Sequence, residues 1–138
     1  MLTKSSPNKN TNSLSLLLQY CKHINEWPEH WSVKHTDIPI GQGINEYFKL
    51  FLIDRIDKNR TKSTIKIYAR FLCALGGELI RLVNDGSCEA LSAKEFILKH
   101  VGDEGGPYWR HARDVYEQAR YNSVCKQLFK FISDHTID

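Results

Sequence analysis

The chain has 138 residues, 41% hydrophobic and 25% charged, which fits one folded domain with a real core and excludes disorder along its whole length. Its formal net charge of +3 is too small to demand a polyanionic partner, so the placement of charge matters more than its total. No apolar run approaches a bilayer crossing, and LSLLL at 14–18 follows a polar stretch unlike a signal peptide, so a cytoplasmic protein without membrane association is expected.

Residues 1–12, MLTKSSPNKNTN, carry almost no large apolar groups to offset ordering entropy and are expected to be a disordered tail. A first helix is predicted over 13–25, capped by Asn12 or Ser13, with Leu14, Leu17, Leu18, Cys21 and Ile24 on one face. From Trp27 to Gly43 the chain is rich in Trp, Pro and His. Pro28 and Pro39 argue against a long helix there, so 13–42 reads as an N-terminal helix plus an aromatic connector with Trp27 and Trp31 buried.

A second helix is predicted over 43–57, where Ile44, Tyr47, Phe48, Phe51, Leu52 and Ile56 form an apolar stripe. The linker DKNRTKS (57–63) follows. A third helix over 63–84 carries Ile65, Tyr68, Leu72, Leu75, Leu79 and Leu82 in steps of three and four. Gly76 and Gly77 each weaken it by roughly 1 kcal/mol, which points to a kink or a close helix contact. NDGS (84–87) breaks the chain.

Ser92 with Glu95 is a capping-box pattern that opens a helix over 92–101, with Phe96, Ile97 and Val101 inward. GDEGG (102–106) is a loop, and Pro107 can open a last helical stretch over 108–134. There Trp109, Ala112, Tyr116 and Ala119 share one face, and Val124, Cys125, Leu128, Phe131 and Ile132 another. The mismatch predicts a break near 121–123. Strand signals are weak throughout, so the fold class is all-α, a compact bundle of four core helices with an additional N-terminal helix and connector.

The residues offer no catalytic centre. There is no nucleophile elbow, P-loop, dinucleotide fingerprint or H-E-x-x-H. GDEGG contains two acids that would repel a phosphate. Cys21, Cys73, Cys88 and Cys125 form no C-x-x-C pair, and three lie on apolar helical faces, the pattern of reduced, buried thiols. Cys21 with His23 is the nearest approach to a metal pair and lacks further ligands. The chain is therefore expected to be non-enzymatic, with no metal and no cofactor.

The cations are more informative. Lys62, Lys66 and Arg70 recur every four residues, nearly opposite the Ile65–Tyr68–Leu72–Leu75 stripe. With Lys58 and Arg60 they make five cations and no acid across 58–70, a segment that a polyanion would relieve of its self-repulsion. The last helix repeats the theme with Arg120, Lys126 and Lys130, accompanied by Asn122, Ser123 and Gln127, side chains able to meet phosphates and base edges. By contrast Arg110 with Asp114 and Arg113 with Glu117 are (i, i+4) pairs, which leaves 110–117 neutralised.

The segments KSTIKIYARFLCAL (62–75) and NSVCKQLFKFI (122–132) together resemble the N-terminal core-binding domain of tyrosine recombinases, the phage-integrase family. Thr64, Tyr68, Leu72 and Leu75 follow that family's pattern, as does Lys126 ahead of Leu128-Phe129-Lys130-Phe131. The resemblance spans roughly 43–134, within a bundle placed at 43–135. It implies a SAM-like four-helix bundle whose second and last helices face DNA. Carried over, it selects Lys62, Thr64, Lys66, Arg70, Asn122, Lys126 and Lys130. The family's catalytic domain has no counterpart in this chain, and the N-terminal extension and the 102–119 insertion depart from its pattern.

The expectation is a non-catalytic domain that holds double-stranded DNA through Lys58, Arg60, Lys62, Thr64, Lys66, Arg70, Arg120, Asn122, Lys126 and Lys130, alone, as a homo-oligomer or beside a recombinase partner. The alternative is a protein-interaction module that uses exposed Trp27, Trp31 and Trp109.

Overall fold

Apolar stripes and the caps beside them set the helices. The computed structural model describes residues 5–87 and 91–134. In chain order these are α1 (Ser5–Tyr20), a 3-10 turn (Ile24–Glu26), α2 (Trp27–Trp31), α3 (Asp37–Asp57), α4 (Lys62–Leu82), a wide turn (Val83–Ser87), α5 (Ala93–His100) and α6 (Val115–Asp134). Thr61 caps α4 by accepting from the Thr64 N–H, and Ser92 and Glu95 form the reciprocal capping box of α5. No strand occurs among the described residues, and a lone bridge between Gly102 and Gly105 closes the loop after α5.

α3 is the axis of an all-α bundle: α1, α2, α4, α5 and α6 all pack on it. α3 packs on α4, α5 and α6, and α6 packs on α4 and α5, which makes these the four core helices, with α1 and α2 laid across α3 and α4. Phe51 is central, with its ring edge-on to Tyr68 at 5.7 Å and to Phe131 at 5.6 Å. Phe48, Leu52, Leu72, Leu75, Tyr121 and Leu128 are fully buried around it.

Several elements differ from expectation for local reasons. α1 starts at Ser5, within the stretch assigned to a tail, with Pro7 in its first turn, where a missing N–H costs nothing. Ser13 is thus mid-helix instead of a cap, and its hydroxyl donates to Asp57 at the end of α3. The connector is mostly helical. Pro28 opens α2 and Pro39 falls in the first turn of α3, the positions where proline is tolerated. Buried Asp37 secures that start by accepting from Val33 N at 2.8 Å, Lys34 N at 3.1 Å and Asn84 Nδ2 at 3.0 Å.

Residues 108–114 form a loop, because several N–H groups there donate to side chains: Trp109 to Gln118 at 3.3 Å, Arg110 to Glu78 at 3.3 Å and Arg113 to Glu117 at 2.8 Å. α6 then runs through 121–123 unbroken. Glu117 and Tyr121 continue the buried face of Val124, Cys125 and Leu128, while Tyr116 is 77% exposed. At Gly76 the outcome is a close contact and α4 stays continuous. A Cβ there would lie 2.1 Å from the Trp31 indole, whose Nε1 donates to Cys73 O at 2.9 Å.

Candidate nucleic-acid interface

α4 and α6 run antiparallel. Tyr68 Oη donates to Gln127 Oε1 at 3.1 Å, whereas Arg70 reaches Glu117 and the Arg120 guanidinium stands 5.8 Å from the Phe71 ring centre. Advancing along α4 therefore means moving back along α6. The cations in the amino-terminal half of α4 and those in the carboxyl-terminal half of α6 lie at the same end of the pair.

At that end Arg60, Lys62, Lys66 and Lys126 are exposed and have no carboxylate partner among the described residues. Lys62 Nζ sits 5.8 Å over the Tyr20 ring, which places the α4 stripe beside the end of α1. Lys58 pairs with half-buried Asp54 at 3.3 Å, and Lys130 pairs with Asp134 at 3.7 Å at an exposed site where such pairs are weak and exchangeable. Thr64 is half-buried and accepts from the Thr61 hydroxyl at 3.1 Å, so it belongs to the cap of α4.

Two expected contacts are spent inside the fold. Arg70 is ion-paired to Glu117, a carboxylate only 4% exposed that also accepts from the backbone and guanidinium of Arg113. The Arg113 backbone N–H first, then the guanidinium groups of Arg113 and Arg70, hold the Glu117 carboxyl below its ordinary range. Asn122 turns toward the loop after α5, accepting from Gly106 N at 3.2 Å and from Gln118 Nε2 at 3.5 Å. Its side chain is packed so closely that a Cβ on Gly105, whose φ is 128°, would lie 2.5 Å from it. Arg120 is exposed and shares the Phe71 ring with Arg70.

Of the two pairs expected within 110–117, Arg113 with Glu117 forms. Arg110 instead donates its backbone N–H to Glu78, and Asp114 accepts from Glu117 N at 2.9 Å. Sequence spacing thus located Glu117 through Arg113. Its bond to Arg70, 47 residues away, carried no local signal.

Cys21, Cys73 and Cys125 are free thiols, and Cys88 lies outside the described residues. Burial pushes the Cys125 thiol up to about 12 and raises Cys21 and Cys73, which keeps all three protonated at neutral pH. No group of three His, Cys, Asp or Glu able to hold a metal occurs among the described residues. Trp31 is buried at 8% exposure, and Trp27 and Trp109 are half-buried. None of the described helices is long and apolar enough to cross a membrane. No family model, no curated protein and no solved structure matches the chain.

Proposed function

We propose that this chain is a non-catalytic, cytoplasmic helical domain that binds duplex DNA, in the manner of the recombinase core-binding domains it resembles. One observation carries the reading: antiparallel packing of α4 and α6 brings Arg60, Lys62 and Lys66 to the same end as Lys126 and Lys130. Their ammonium and guanidinium groups meet phosphates, and the carboxyl-terminal half of α6 lies in or beside the major groove. Arg70 acts as a strut, and phosphate contact falls to its exposed neighbours.

The test is a gel shift with duplex DNA at several salt concentrations. Five neutralised phosphates make affinity fall roughly 500-fold when salt is raised about fourfold. Absence of any salt-sensitive shift by the unmutated chain overturns the reading. The rival, a protein-interaction module built on the tryptophans, loses its Trp31 anchor to the core. Self-association in light scattering without DNA affinity is the result that would favour it.

A further inference from the structure

α1 ends at Tyr20 and the 108–114 loop arrives on the other side of α4, leaving part of the outer face of α4 uncovered between them. The gap is an open groove of about 600 Å³. Its floor is Ala69, Cys73 and Ala74, side chains too short to fill it, and Trp27 and Trp109 are its walls.

Both walls are fixed in place. Trp109 lies edge-on to Phe71 at 5.8 Å and tilted over Tyr121 at 5.3 Å, and its loop is pinned from two sides by the buried carboxylates Glu78 and Glu117. Trp27 leans on Trp31 at 6.0 Å, and Trp31 is itself bonded to the backbone of α4. A preformed apolar groove of this size matches the range of small-molecule sites.

The ionisable groups around the groove are of one sign. It is bordered by Lys22, His23, Lys66 and Arg70, with no aspartate or glutamate among its described lining residues. Arg70 is committed to Glu117 and His23 stands 3.4 Å from Glu26, which leaves Lys22 and Lys66 as cations without a carboxylate partner among the described residues, and Lys66 lies on α4, one turn before Ala69 and two before Cys73 of the floor. Lys66 faces the Cys21 thiol closely enough to offset part of the upward push of burial on it.

We propose that this groove binds a small amphiphilic anion, an aryl or medium-chain carboxylate, with its apolar body between Trp27 and Trp109 and its charge on Lys66. A free inorganic anion would forgo the apolar walls, and a neutral or cationic amphiphile would forgo or oppose Lys66. The site shares Lys66 with the duplex reading and otherwise stands on the groove between Trp27 and Trp109, which that reading does not use.

The experiment titrates the full chain with 2-naphthoate, and in parallel with 2-naphthylmethanol, following the indole N–H signals of Trp27, Trp31 and Trp109 by NMR. Saturable one-to-one binding of naphthoate that moves the Trp27 and Trp109 signals most, with the alcohol at least about tenfold weaker, supports the site. Lys66→Gln is expected to weaken naphthoate about tenfold and leave the alcohol unchanged. Ala74→Phe, which fills the floor, should abolish binding of both probes without lowering the melting temperature, while Lys126→Gln changes nothing. Equal affinity for acid and alcohol, an unchanged Lys66→Gln, or no movement of the Trp27 and Trp109 signals overturns the proposal.

Discussion

The two ends of the α4–α6 pair use the same residue types for opposite purposes. At one end Arg60, Lys62, Lys66 and Lys126 project into solvent with no carboxylate partner among the described residues. At the other, Arg70, Arg81 and Arg113 close on two buried carboxylates, Glu78 and Glu117, which also hold the 108–114 loop by its N–H groups. The difference teaches that a count of cations along a helix says little about a surface. What matters is whether a buried acid from a distant segment takes them, because that acid must be paired while a solvated lysine need not be.

The largest effect that tests the contrast is on binding. Lys62→Glu with Lys66→Glu removes two phosphate contacts and adds two repulsions at the open end, so duplex affinity should fall more than about a hundredfold at low salt. Both side chains are exposed, so the melting temperature should stay unchanged within about 2 °C. A matching loss of binding from Arg70→Ala, with no loss of stability, would erase the distinction between the ends.

Glu117→Gln should act the other way, with a large drop in melting temperature and little change in affinity for the molecules still folded. It strips the charge from the acceptor of Arg70 and Arg113 while leaving the open end intact. The same clamp gives the protein an acid sensitivity of known sign. The folded carboxyl titrates below its unfolded counterpart, so its stabilisation is complete above the ordinary glutamate value of about 4.3 and is lost as pH falls through the folded value. The melting temperature of the unmutated chain should therefore decline below about pH 4, and Glu117→Gln should flatten that decline. An equal decline in both proteins would remove Glu117 from the clamp.

The stripes on α3, α4 and α5 and the Ser92 cap were legible because each is written in local steps of three and four residues along one helix. The helical extension at Asp37 was not, since Pro39 reads as a breaker until it is known that a helix begins there, and the one at Ser5 was hidden because residues 1–12 carry almost no large apolar groups. The continuity of α6 was hidden for a related reason. Tyr121, placed at the expected break, is the residue that carries the buried face onward, with its hydroxyl donating to Pro107 O at 2.8 Å. In the candidate site, exposure of the lysines followed from the helical wheel. The inward use of Arg70 and Asn122 depended on partners that only the tertiary fold supplies. Gly76 shows both sides: the glycine pair announced a kink or a close approach, and Trp31, 45 positions earlier, decided between them. Gly76→Ala should cost about 1–3 kcal/mol in urea unfolding, through displacement of that indole. A neutral outcome would mean that Trp31 can leave the core freely.

The smallest predicted effect bears on whether α6 shares the binding surface. Lys126 lies on the side of α6 away from Val124, Cys125 and Leu128, so truncating it cannot disturb the core. If the duplex spans both helices, Lys126→Ala lowers the slope of log affinity against log salt by about 0.9, one phosphate's worth, with the melting temperature unchanged. If the duplex rests on α4 and the 58–60 turn alone, the slope is the same as in the unmutated chain. Asn122→Ala is the matched control on the same helix. Its amide oxygen serves Gly106 and Gln118, so its loss should loosen the 102–106 loop in hydrogen exchange and leave the salt slope untouched. A slope that changes with Asn122 and not with Lys126 would turn α6 the other way and place the loop, with its Asp103 and Glu104, against the phosphates, an arrangement that like-charge repulsion forbids.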